Sequence, residues 1–242
     1  MRSRSNKAGA HEQQRYKEGL RAWRARVLPP LRWITIAVVV ASFGFLAFGP
    51  VGRGQFIAGA IGGGFFSLYL WVRDEPPEHI ERHRKGAEGE RATDKVLRPL
   101  LAVGWRVAHD VDTGRGNRDH VLVGPPGVYL LDSKNLGGMV TVKGEIVRVE
   151  RVDDPRDSYS FDRLASRLRG EAATIHDELA QATGLEPWVS AVVVFWSPFA
   201  ARVVQRHKIT FLHGNELVAW LRSQAPRYDS ATVARLAEHI SR

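Results

Sequence analysis

Residues 116–138 read GNRDHVLVGPPGVYLLDSKNLGG. Two apolar strings, Val121–Val123 and Val128–Leu131, flank Gly124-Pro125-Pro126-Gly127. Glycine and proline in that arrangement turn the chain, so the stretch predicts a β-hairpin. Asp119 opens the first strand, and Asp132-Ser133-Lys134 closes the second. Side chains two apart on a strand share a face, so Asp132 and Lys134 are expected as neighbours. A hairpin of this length can bring Asp119 close to Asp132.

Outward from the hairpin, Trp105–Asp110 reads as a strand and DTGRGN, residues 112–117, as a Gly-rich loop. Upstream, Val96, Leu97, Leu100 and Leu101 form the apolar stripe of a helix within 78–102. Gly86 and Gly89 predict a break around 85–89, with the better helix starting near Glu88. Downstream, a strand pair is expected near 139–142 and 145–151. A helix is expected over 161–182, with Leu164, Leu168, Ala172, Ile175 and Leu179 on one face. The run VSAVVVFW within 188–196 is typical of a buried strand. A further strand over 203–212 and short helices near 214–223 and 229–240 close the chain. The pattern predicts an α/β domain with a mixed central sheet flanked by helices.

Before this domain lie two runs without charge, WITIAVVVASFGFLAFGP (33–50) and FIAGAIGGGFFSLYLWV (56–72). Each is near the roughly 17–25 residues that span a hydrocarbon core. Trp33 and Trp71 stand at the outer ends of the pair, where interfacial aromatics belong. A signal peptide needs a shorter apolar core and a small-residue cleavage site. Here a long basic stretch precedes the first run and a second run follows at once. The expectation is a transmembrane helical hairpin, 33–72, between a basic tail, 1–32, and a linker, 73–85. Gly59 and Gly63 provide a spacing that lets membrane helices approach closely.

The formal charge of the 242-residue chain is +9, and its placement matters more than its total. Residues 1–32 carry nine Lys/Arg against two Glu, whereas residues 73–242 come to +1. The basicity therefore argues for topology before nucleic-acid binding. Lys and Arg flank the pair of spans, and the loop between them holds Arg53 alone. The positive-inside rule then puts both termini and the domain on the cytoplasmic side of the cell membrane. The tail could also meet anionic lipid or nucleic acid. Cysteine is absent, which excludes a disulfide-linked partner and any Cys-based zinc site.

Asp119, Asp132 and Lys134, with Glu90 added from the preceding helix, suit phosphodiester hydrolysis. Carboxylate oxygens are hard ligands for Mg²⁺. The ion would activate water and polarise the phosphoryl oxygen. A lysine beside it would orient that water or neutralise growing charge. A bare Asp-x-Lys is common by accident, so its context decides. That context is GAEGERATDKVLRPL, residues 86–100, followed by the 116–138 stretch. Together these resemble the nuclease-related domain (NERD) family, assigned to the PD-(D/E)xK nuclease superfamily. The resemblance implies a restriction-endonuclease-like core within 86–242. It also implies a nuclease-like activity on DNA or RNA with Mg²⁺ or Mn²⁺. Glu90, Asp119 and Asp132 would then be metal ligands, and these three with Lys134 the catalytic set. Arg118 and Ser133 depart from the family's usual aliphatic residue and its usual apolar residue or Thr. The rival expectation is a non-catalytic, membrane-tethered module binding nucleic acid or a protein partner.

Other residues read more plainly. His120 should face away from Asp119 and serve a structural hydrogen bond. Asn117 and Asn135 read as turn-shaping residues. Gly114-x-Gly116 precedes no helix and is too short for a dinucleotide fingerprint. Arg163, Arg167 and Arg169 read as a solvated helix face, and Asp153, Asp154 and Asp157 as an acidic turn. The nine histidines have no metal-binding spacing, and no Gly-x-Ser-x-Gly elbow occurs.

Overall fold

The computed structural model describes residues 8–112, 117–151 and 156–240. Arg2, Arg4 and Lys7 of the tail, Gly114 and Gly116 of the Gly-rich loop, and Asp153 and Asp154 of the acidic turn lie outside these residues. The chain forms two compact units, one of residues 13–84 and one of residues 1–12 with 85–242.

In the first unit the apolar runs sit in two helices, α1 (Ala10–Phe48) and α2 (Arg53–Asp74). Both are long and apolar enough to cross a membrane. Phe43, Phe48 and Phe56 are 69%, 93% and 81% exposed, an apolar surface left without protein cover. The basic stretch from Ala10 onward is helical and runs unbroken through Pro29 and Pro30 into the first apolar run. The two helices meet at Gly62, where a Cβ would lie 2.9 Å from the Ser42 Cβ. Gly59 and Gly63, the pair expected to permit close approach, have open space beside them instead.

The expected linker is mostly helix. Only residues 75–77 separate α2 from α3 (Glu78–Leu101), whose first turn carries Glu78 and Glu81. Acids there favour the positive end of the helix dipole. The expected break at 85–89 does not occur. At Gly89 a Cβ would stand 3.1 Å from the Asn135 Cβ. The glycine is a packing contact, and tertiary burial overrides its weak helix propensity.

The second unit is built on a six-stranded mixed sheet. Its strands are β1 (Arg106–Asp112), β2 (Asn117–Gly124), β3 (Gly127–Lys134), β7 (Val189–Phe195), β8 (Val203–Arg206) and β9 (Ile209–His213). Their spatial order is β1-β2-β3-β7-β9-β8. The hairpin expected at 116–138 is β2–β3, antiparallel, with Val123 opposite Val128. At Gly124 a Cβ would fall 2.2 Å from the Trp105 ring, so only glycine fits. β3, β7 and β9 run parallel, which explains the unbroken apolar run of β7. A second sheet joins β4 (Met139–Lys143), β5 (Ile146–Glu150) and β6 (Tyr159–Phe161). It lies in the crossover from β3, ahead of α4 (Leu164–Thr183). Residues 203–212 are not one strand. They form the β8–β9 hairpin around His207 and Lys208, with φ of 33° and 68°. Neither residue is glycine or asparagine, the usual occupants of such a turn.

Alternate faces of the sheet bury separate cores. Val121, Val123, Val128, Leu130, Val193 and Phe195 pack beneath α4 and the closing helix α6 (Ser230–Ala237). Leu122, Tyr129, Leu131, Val192 and Val194 pack beneath α3 and α5 (Leu217–Arg222). The mixed α/β architecture expected from the sequence is present, preceded by the two long apolar helices.

Candidate functional site

β2 and β3 pair in register as far as His120 opposite Leu131. The next pair would set Asp119 against Asp132, and there the ladder gives way to side chains. The Ser133 backbone N–H donates to Asp119 Oδ2 at 2.8 Å. Asp132 is 6% exposed, at the carboxyl end of the first parallel strand. Ligand sites of open α/β sheets gather at such strand ends. Lys134 Nζ lies 2.6 Å from Asp132 Oδ2, and Arg167 Nη2 donates to Asp132 Oδ1 at 3.0 Å. Oδ2 is buried and meets the ammonium as an ion pair without a well-directed hydrogen bond. It therefore keeps capacity to accept a further partner.

Arg167 comes from α4, which packs over this face between β3 and β7. The sequence placed Arg167 on a solvated helix face, and the structure corrects this. Its guanidinium is shared between Asp132 and Glu171. The signal was weak because it depends on the crossover laying α4 across the end of β3. Arg169 is engaged by Glu145 rather than by the site.

Glu90, on α3, is buried and within electrostatic range of Asp119. Its Oε2 accepts the backbone N–H of Gly9 at 2.8 Å. Gly9 has φ +73°, and a Cβ there would stand 2.8 Å from the Ala87 carbonyl oxygen. The neighbouring His11 N–H donates to Asp110 Oδ2. Asp110 is a further acid that sequence reasoning did not single out. It is buried on β1 with φ 50° and accepts from Asn117 Nδ2 at 2.6 Å. The left-handed backbone at a non-glycine residue is a mark of functional or tightly constrained positions. Register pairs skip from His109–His120 to Val111–Arg118, so Asp110 lies opposite Asp119.

Two of these acids, Asp119 and Glu90, hold their protons more tightly than usual. Burial first, and then the Asp132 carboxylate, push Asp119 up to about 7. Burial, then Asp119, push Glu90 up to about 8. Burial opposes the charge on Lys134, but Asp132 and Asp119 outweigh it and hold the ammonium above its ordinary range. Among the described residues, no three His, Asp or Glu side chains converge as a ready metal cage. Mg²⁺ needs none, because it keeps several waters and takes one or two carboxylates. Asp119 and Asp132 supply hard oxygens of the kind such an ion takes, although Lys134 and Arg167 already neutralise Asp132.

The supporting residues explain both departures from the family pattern. Ser133 points to the opposite face, where its Oγ lies 2.8 Å from Thr93 Oγ1. Trp196 Nε1 donates to the same Thr93 oxygen at 2.8 Å, tying β3, α3 and the end of β7 together. Arg118 is buried and makes a double hydrogen bond to Glu178 on α4, at 2.8 and 3.0 Å. Asn135 Nδ2 donates to the Lys85 carbonyl, so it ties β3's end to α3. His120 turns away from Asp119, as its strand position predicts. Its Nδ1 lies 2.7 Å from the His109 Nδ1, so one ring donates and the other accepts. Burial and then His109 push His120 down to about 3 and keep it neutral.

Fold and site together define a mixed-sheet α/β domain with paired acids and a lysine at the carboxyl end of its first parallel strand. Residues 85–196 match the family model described as Nuclease-related domain, NERD. Neither curated proteins nor solved structures returned a match. The six-stranded sheet extends past the matched residues, since β8 and β9 follow residue 196.

Proposed function

We propose that the chain is a membrane-anchored, Mg²⁺- or Mn²⁺-dependent nuclease that hydrolyses phosphodiester bonds of DNA or RNA. The observation that carries this reading is the meeting of Asp119 with Asp132 and Lys134 at one strand end of a nuclease-related domain. Asp119 and Asp132 would hold the ion, with Glu90 assisting. The ion supplies Lewis acidity and a water of lowered pKa. Lys134 stays an ammonium here, so its part is to donate to that water or to a phosphate oxygen, not to take a proton. Arg167 is half-exposed and holds Asp132 in place with its inner nitrogen. Two apolar helices flanked by Lys and Arg support an integral membrane anchor with the domain on the cytoplasmic face.

The full-length protein in detergent should cleave single- or double-stranded DNA or RNA with Mg²⁺ or Mn²⁺. Lys134→Ala should lower the rate about 10²–10³-fold. Absence of cleavage on all four substrate types would overturn the enzyme reading. One observation favours the rival, a non-catalytic module binding nucleic acid or a protein. Asp132 already has a cation on each oxygen, which is a complete ion-pair arrangement without metal. Mn²⁺ binding that disappears in Asp119→Asn and Asp132→Asn decides for the nuclease; Mn²⁺ binding unaffected by either decides for the module.

A further inference from the structure

The opposite end of the parallel strands holds a cavity of about 400 Å³ that the candidate site does not use. Its size falls in the range of small-molecule sites, roughly 300–1,000 Å³. The floor lies at the amino ends of β3, β7 and β9. Tyr129 and Ser190 are register partners there, and Thr210 is the partner of Gln205 on the next pair. These residues line the cavity with a row of hydroxyl and amide groups. Trp220 and Trp188 form aromatic walls. Trp220 stands edge-on to Tyr129 at 5.8 Å, and Trp188 is 45% exposed.

Three fixed cations, Arg206, Lys208 and Arg227, complete the lining, and among the described residues no Asp or Glu belongs to it. This is unusual for the domain, where residues 73–242 total +1 and arginines usually find acids. Arg118, Arg167, Arg169 and Arg202 each hold a carboxylate. Glu145, which senses His207 electrostatically, is taken by Arg169 at 2.5 and 2.8 Å. The Lys208 ammonium stands over the Trp188 ring, 4.7 Å from its centroid. The left-handed turn at His207 and Lys208 presents Lys208 at this rim.

We infer that this cavity binds a nucleoside phosphate. Cations without an acidic partner among the described residues select an anion with hydrogen-bonding oxygens, as phosphate contacts require. Aromatic walls accept the π-face of a base, a sequence-tolerant contact. The floor hydroxyls and amides suit ribose and base edges. The site stands apart from Asp119 and Asp132, so it does not depend on the nuclease reading. The ligand is a free nucleotide or the phosphorylated end of a strand.

Equilibrium dialysis of the full-length protein in detergent against labelled AMP tests this, with EDTA present. Saturable binding is expected, weakened about tenfold or more by Lys208→Glu and by Arg227→Glu. Both side chains are exposed, so the fold tolerates the change. Trp188→Ala should weaken AMP binding while leaving inorganic phosphate competition unchanged. Asp132→Asn should bind AMP as the native chain does. A 5′-phosphorylated oligonucleotide that displaces AMP at lower concentration than AMP itself identifies a strand end as the ligand; the reverse identifies the free nucleotide. Absence of saturable binding, binding indifferent to both charge reversals, loss in Asp132→Asn, or inorganic phosphate binding as tightly as AMP would each overturn the inference.

Discussion

Asp119 carries the sharpest test at the scale of single residues. Its acid lies near 7 in the fold against an ordinary carboxylate value near 3.8. Between those values the folded chain keeps a proton that the unfolded chain releases. Stability therefore falls as pH rises through that window, and the full penalty is present above pH 7. Asp119→Asn keeps an oxygen for the Ser133 N–H and carries no charge. In EDTA at pH 8 it should raise stability by on the order of a few kcal/mol. The gap should close as pH falls toward 5. The opposing slope of His120, neutral down to about 3, is common to both chains and cancels. Denaturation midpoints across pH 5–8 read this directly, and a pH-independent gap would sink it. Gly9 offers a second test. Alanine there meets a left-handed backbone and the Ala87 carbonyl, so Gly9→Ala should cost at least about 1–2 kcal/mol. A thermal midpoint equal to that of the native chain would refute the docking of Gly9 on Glu90.

Between elements, α4 does the work of joining the sheet to the site. It covers one sheet face, sends Arg167 to Asp132 and receives Arg118 through Glu178. Arg118 is buried while Glu178 is half-exposed, so the two ends of this pair are unequal. Removing Glu178 strands a buried guanidinium, whereas replacing Arg118 with an aliphatic side chain removes the buried charge altogether. Glu178→Ala should therefore destabilise by roughly 1–3 kcal/mol. Arg118→Leu should cost less, and urea unfolding of the two variants checks the order. The sequence showed Arg118 as a departure without its reason. The reason lies sixty residues away, on a helix whose docking no local pattern describes. The same holds for Gly89, which reads as a helix breaker and serves as a helix contact. The β8–β9 turn was missed because His207 and Lys208 adopt left-handed backbone without the residues that advertise it.

For the molecule as a whole, two apolar helices expose phenylalanine and tryptophan side chains that water would not tolerate as one surface. The expected outcome is that the full-length protein remains in the membrane pellet after alkaline carbonate and high salt. Release by carbonate would exclude integral spans. In inverted membrane vesicles, protease should reach the 85–242 domain, as the Lys and Arg flanking the two apolar runs predict. Protection there, with digestion in right-side-out preparations, would reverse the orientation.

Periodicity and punctuation alone determined the apolar helices, the β2–β3 hairpin, the mixed α/β class and the nearness of Asp119 to Asp132, because each is local in the chain. Tertiary structure decided the rest: Arg167 on Asp132, Asp110 opposite Asp119, Gly9 on Glu90, and the basic aromatic cavity at the far strand ends. Those contacts join residues that only packing brings together, and no spacing along the chain encodes a distance set by how a helix crosses a sheet.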